Sequence, residues 1–131
     1  MNLVVDTSVI IAVITNEKHK KELIRLTRGA DLIAPSSLHW EIGNAFSAMF
    51  KRKKIALEQT FEALIAYQQI PLRFSPMDLD VALDLSSQLD VYAYDAYVIG
   101  CALKHKAPLL SIDGGLLAAA RRAGAETKEV K

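Results

Sequence analysis

Met1-Asn2-Leu3-Val4-Val5-Asp6-Thr7-Ser8 opens the chain and decides how the remainder is read. Leu3, Val4 and Val5 form a short apolar run rich in β-branched residues, the mark of a fully buried strand. The run stops at Asp6, and Thr7-Ser8 then opens the apolar segment Val9–Ile14. Asp31–Pro35, Pro71–Phe74, Pro108–Ile112 and Glu126–Val130 read as four further short strands. Pro71 assigns its strand to a sheet edge, where a missing N–H is tolerated. Helical spacing and end signals predict helices over Ser8–Thr15, Lys18–Arg28, Leu57–Gln69, Asp78–Leu89, Tyr94–Lys106 and Leu116–Ala123. One more, capped by Ser36 or Ser37, runs to about Lys53. Strands alternating with about seven helices predict an α/β fold, a parallel sheet covered on both faces. In such folds an acid at the carboxyl end of a central strand lies where ligands bind. Asp6 is such an acid.

A chain of 131 residues fits one domain, with no repeat or interdomain linker, and buries about 68% of its unfolded surface. Its hydrophobic fraction of 51% argues against disorder. No apolar run approaches the roughly 18 to 20 residues that span a bilayer. The N-terminus lacks the basic region of a signal peptide, so a cytoplasmic protein away from membranes is expected. The single Cys101 excludes an internal disulfide and any multi-cysteine zinc site. With 16 basic and 15 acidic side chains the net charge is +1. A polyanionic partner would therefore be engaged by a local arrangement of cations, not by bulk attraction.

Three further acids join Asp6 as candidates. Glu41 lies at the shoulder of the apolar face marked by Leu38, Ile42, Ala45 and Met49. A capping box from Ser36 or Ser37 would need its Glu at 39 or 40, so Glu41 is not a box partner. Asn44, one turn on, reaches the same space. Asp95 precedes Val98, Ile99, Ala102 and Leu103 at helical spacing, within the core-facing stripe. An acid there avoids desolvation only by opening into a pocket at the helix start, unless it is simply a cap. Asp113 follows the strand Leu109-Leu-Ser-Ile112, and Asp113-Gly114 also reads as an ordinary turn. If the four converge, their charge has to be neutralised. Two carboxylates about 4 Å apart repel by roughly 4 kcal/mol at an effective dielectric of 20, and each acid has three such neighbours. All-oxygen ligands without His or Cys suit Mg²⁺ or Mn²⁺. Such a cation activates water for displacement at phosphorus, so the implied chemistry is metal-dependent phosphodiester hydrolysis.

Val5-Asp6-Thr7-Ser8, Trp40-Glu41-Ile42-Gly43-Asn44, Tyr94-Asp95-Ala96 and Ser111-Ile112-Asp113 occur in that order. Together they make the chain resemble a PIN-domain ribonuclease, in size and layout similar to a VapC-type toxin of a toxin–antitoxin pair. The resemblance implies a three-layer α/β/α fold with a five-stranded parallel sheet of order 3-2-1-4-5. It implies that Asp6, Glu41, Asp95 and Asp113 hold Mg²⁺ or Mn²⁺ and orient the attacking water. Ser8, Asn44 and Ser111 match the supporting polar positions, Ser111 standing where Thr is frequent. An RNA substrate, a VapB-type antitoxin that blocks the site, and a homodimer follow as expected partners. Gly114-Gly115 after the last acid departs from the pattern and predicts a loop there. A housekeeping RNA-processing nuclease, or a PIN-like scaffold that binds RNA or a partner without cleaving, would carry the same motifs. A receiver-like phosphoacceptor domain also gathers acids around Mg²⁺. That reading fails on placement, because Leu32–Ala34 leads to Pro35-Ser36 and Pro108–Ile112 leads to Asp113 where a Lys is needed.

Other features have plainer readings. Lys51-Arg52-Lys53-Lys54 and Arg121-Arg122 fall at helix ends, where cations complement the dipole; solvated runs and phosphate contacts are both open. Trp40 is assigned to the core or a dimer interface ahead of a base-stacking platform. Tyr92, Tyr94 and Tyr97 lie near Asp95 and serve either packing or a nucleic-acid groove. Cys101 reads as inert core.

Overall fold

The computed structural model describes residues 1–130. Five strands, β1 (Asn2–Val5), β2 (Asp31–Pro35), β3 (Leu72–Ser75), β4 (Leu109–Ser111) and β5 (Thr127–Glu129), pair in parallel in the order β3-β2-β1-β4-β5. This is the order implied by the PIN resemblance, and it differs from the 2-1-3-4-5 order of receiver-like domains. Seven helices connect and flank the strands: α1 (Thr7–Ile14), α2 (Lys20–Thr27), α3 (Leu38–Lys51), α4 (Leu57–Gln68), α5 (Leu79–Leu89), α6 (Ala93–His105) and α7 (Gly114–Arg122).

Strand periodicity sorts the core into two layers. Leu3 and Val5, with Ala34 and Leu110, face α1, α3 and α4, where Val9, Ile10, Leu38, Ile42 and Phe46 are buried. Val4, Ile33 and Leu109 face the opposite side and pack on Ile99 and Ala102 of α6 and Leu116 and Ala120 of α7. The register Leu3↔Leu32, Val4↔Ile33 and Val4↔Leu109 keeps these sets in phase across the sheet. A one-residue slip would invert them. Among the described residues no helix is long and apolar enough to cross a membrane.

Boundaries follow local chemistry. Gly29, at φ +75°, ends α2 in the left-handed region that glycine enters without cost. β3 begins at Leu72, one residue after Pro71, whose nitrogen cannot donate to a ladder, and the strand does lie at the edge. Two expectations change at helix starts. Gly114 and Gly115 are not a loop but the first turn of α7, because Asp113 caps that helix and satisfies its first N–H groups. Asp95 is not a cap: α6 starts at Ala93 with Tyr92 in the capping position.

Candidate functional site

The strand order reverses at β1, with β2 on one side and β4 on the other. At this switch point helices leave in opposite directions and a crevice opens at the carboxyl ends of the strands. Asp6 emerges directly from β1 and Asp113 lies two residues beyond β4.

Asp6 is 8% exposed. Its Oδ1 accepts from Ser8 Oγ at 2.7 Å and from the Val9 amide at 3.3 Å, and its Oδ2 accepts from Ser111 Oγ at 2.8 Å. Asp6 is thus an N-cap for α1, but one whose second oxygen is held by the neighbouring strand. Ser111 Oγ in turn accepts from the Asp113 amide at 2.9 Å, and Ser8 Oγ from the Ile112 amide at 3.2 Å. The two hydroxyls therefore lock α1 and the β4 end together around one carboxylate. A carboxylate offers about four acceptor positions, so three donors leave room on Oδ2 for one more partner. Burial pushes the Asp6 carboxyl above its ordinary value of 3.8; the hydrogen bonds from Ser8, Ser111 and Val9 oppose this, and the charge of Asp113 adds to it.

Glu41 sits in the first turns of α3, half-buried. Thr7 Oγ1 donates to its Oε1 at 3.1 Å and Ser37 Oγ to its Oε2 at 2.7 Å. Burial raises its pKa, these two bonds lower it, and the charge of Asp95 raises it further. Asp95, in the first turn of α6, is half-buried without a hydrogen-bond donor, and burial followed by the charge of Asp113 pushes its pKa up. Asp113 is exposed; its Oδ1 accepts from the Gly115 and Leu116 amides at 3.0 and 3.2 Å. Asp6 thus feels Asp113, Asp113 acts on Asp95, and Asp95 acts on Glu41. The four acids form one repelling chain.

The fold brings together Asp6, Ser8, Glu41, Asp95, Ser111 and Asp113. Asn44 is exposed one turn beyond Glu41, and its side chain is hydrogen-bonded to none of the acids. Thr7 and Ser37 were not singled out from sequence, yet they fix both oxygens of Glu41. The four-residue spacing Ser37–Glu41 was the available signal, hidden because Ser37 reads as a side-chain cap, whereas its hydroxyl bonds no backbone group of α3.

Donor chemistry fits a hard divalent cation: carboxylate and hydroxyl oxygens, with acids that repel one another until compensated. Among the described residues no three His, Cys, Asp or Glu side chains enclose a ready-made cage.

Of its two expected places Trp40 does not take the core: it is 71% exposed. It helps line a recess of about 380 Å³ with Ser36, Ser37, Tyr94 and Tyr97. Cys101 is buried, and burial raises its thiol to about 11, so it is inert at neutral pH. Arg121 donates to Thr127 Oγ1 and approaches Glu129, while Arg122 donates to the Leu89 carbonyl. These two arginines tie α7 to β5 and to the end of α5. Lys51, Arg52, Lys53 and Lys54 are exposed, and among the described residues they form no ion pair.

Residues 3–122 match the PIN domain family model, and the chain belongs to the PIN domain family. Curated proteins compared by sequence give no match. Among solved structures the chain is similar to PAE2754 from Pyrobaculum aerophilum, at TM-score 0.73 and 20% identity over 97% of this chain and 83% of that one. It is similar to VapBC2 from Rickettsia felis bound to a promoter DNA fragment, at TM-score 0.72 and 14% identity over the whole of both chains. Mycobacterium tuberculosis VapC20, described as a sarcin-ricin loop cleaving toxin, aligns at TM-score 0.65 and 16% identity over 89% of this chain and 94% of that one. At these identities the likeness is one of fold.

Proposed function

We propose that this PIN-domain protein is a Mg²⁺- or Mn²⁺-dependent endoribonuclease and the toxin of a type II toxin–antitoxin pair, with a VapB-type antitoxin as partner and a homodimer as its assembly. The observation that carries the reading is the repelling chain of four carboxylates at the switch point, with buried Asp6 held from both sides by hydroxyls. Stability alone does not favour such an arrangement, since the charge of Asp113 raises Asp6 and Asp95 and that of Asp95 raises Glu41. Perturbed acids gathered in a crevice mark a functional site. The two similar toxin structures support the biological role, being named as a VapBC complex and a loop-cleaving toxin.

In this reading Asp6, Glu41, Asp95 and Asp113 would hold the cation and orient the attacking water, Glu41 being fixed by Thr7 and Ser37. Bound Mg²⁺ or Mn²⁺ would lower the pKa of that water and stabilise charge on the phosphoryl oxygens. Ser8 and Ser111 hold both oxygens of Asp6 and restrict its rotamer. Because the net charge is only +1, RNA is engaged by locally exposed cations such as Lys51–Lys54 and not by bulk attraction.

The test is cleavage of RNA by purified protein with Mg²⁺ or Mn²⁺, against EDTA and against Asp6→Ala and Asp95→Ala. Cleavage confined to wild type with metal is expected. Equal cleavage by all three proteins overturns the catalytic assignment, and growth arrest unchanged by Asp6→Ala overturns the toxin mechanism.

A further inference from the structure

Two exposed aromatics stand in equivalent places beside the acids. Trp40 directly precedes Glu41 in the first turn of α3, and Tyr94 directly precedes Asp95 in the first turn of α6. They are 71% and 47% exposed. Consecutive helix residues diverge by about 100°, so each ring flanks its acid and does not cover it. Both line the same recess, about 380 Å³ in volume, at the lower end of the range for ligand pockets. Ser37 belongs to this recess and also donates to Glu41 Oε2, so the recess borders the acid site through that bond. Among the described residues no Lys or Arg lines it, so they offer a phosphate no counter-charge there. Its other groups are the Ser36 and Ser37 hydroxyls, the apolar side chains of Met77 and Leu79, and Tyr97, whose ring meets that of Tyr94 edge-on at 5.9 Å.

Resting on the nuclease reading above, we infer that this recess is a nucleobase subsite. A base next to the scissile phosphodiester stacks on Trp40 and Tyr94 while the phosphate lies over the acids. Aromatic faces and hydroxyls without cations are the chemistry of a base platform, since every base has a π-face to offer. The subsite selects unstacked RNA, because a base inside a duplex cannot present its face.

Trp40 is the only tryptophan in the chain and reports on its own surroundings. Its emission is followed as adenosine 5′-monophosphate or ribose 5-phosphate is added with Mg²⁺; neither contains a diester, so no cleavage is needed. Saturable quenching by the nucleotide and none by the sugar phosphate is expected. In the cleavage assay Trp40→Ala is expected to raise KM about 5- to 150-fold, the loss of one stacked base, and far more than it lowers kcat. Trp40→Phe restores most of that loss. Equal responses to the two ligands, or an unchanged KM in Trp40→Ala, overturn the subsite. Emission that ignores both ligands but shifts with protein concentration makes the recess a contact with a second copy and also overturns it. Base-dependent quenching without RNA cleavage would leave the subsite standing and remove the nuclease reading; cleavage without quenching does the reverse.

Discussion

Ser111 Oγ donates to Asp6 Oδ2 at 2.8 Å across 105 positions of sequence, joining the end of β4 to the end of β1. Both partners are buried, and the same hydroxyl accepts from the Asp113 amide, so one serine positions two of the four acids.

Replacing that serine therefore has two consequences. Ser111→Ala leaves the Asp113 N–H and one Asp6 oxygen without their partner in a buried setting, which costs about 1–3 kcal/mol of stability. It also removes a bond that lowers the Asp6 pKa, so that pKa rises further. Urea unfolding checks the first, and a cleavage profile whose acid limb moves to higher pH checks the second. Ser111→Thr retains the hydroxyl and is expected to lie close to wild type in both.

Metal-free stability is expected to run against the usual acid trend. Asp6, Glu41 and Asp95 have pKa values raised above 3.8, 4.5 and 3.8 respectively, chiefly by burial. The folded chain then holds protons that the unfolded chain has lost, so these groups make stability fall as pH rises through that window. His105, lowered below 6.5 by burial and by Arg73, acts in the opposite sense and weakens the fold as pH falls through 6.5. Asp95→Asn isolates the acid contribution. In EDTA its melting temperature should exceed that of wild type at pH 7 and converge with it near pH 3.5. A lower melting temperature at pH 7 would show that Asp95 is not under repulsion.

Ser37 is a positioning residue. Ser37→Ala frees one oxygen of Glu41 while Thr7 still holds the other. Loss of an outer hydrogen-bond partner of this kind typically costs 10- to 100-fold in metal affinity or activity. The concentration of Mg²⁺ giving half-maximal cleavage should rise by about that factor, with the melting temperature in EDTA unchanged. A variant with wild-type metal dependence would leave Ser37 with no part in the site.

Arg122 separates structural cations from those available to RNA. Its guanidinium donates to the Leu89 carbonyl at 2.9 Å. Arg122→Ala should lower thermal stability by an amount equivalent to about 0.5–1.5 kcal/mol, without altering the salt dependence of RNA binding. A flatter salt slope would mean that this arginine neutralises a phosphate.

Much of this was legible in the sequence because backbone pattern and chemistry agreed. The β-branched run Leu3–Val5 specifies a strand buried on both faces, and the acids at its end and beyond β4 follow from chain order. Asp95 was conspicuous because it interrupts an apolar stripe. Side-chain pairs distant in sequence were not legible. Thr7 reaches Glu41 across 34 positions, and only the packing of α1 beside α3 brings them together. The core half of the Trp40 expectation failed for a related reason: its exposure depends on which way the first turn of α3 faces. Gly114-Gly115 reads as a loop because glycine weakens helices, and the Asp113 cap, bonding the Gly115 and Leu116 amides, offsets that weakness.

The central claim is that the acids at the switch point together bind divalent cation. Mn²⁺ binding, followed by electron paramagnetic resonance on wild type, Asp95→Asn and Asp113→Asn, tests it most directly. Saturable binding by wild type is expected, weakened in each variant by at least the roughly 10-fold that loss of an outer partner costs. Undiminished Mn²⁺ affinity in both variants would contradict it.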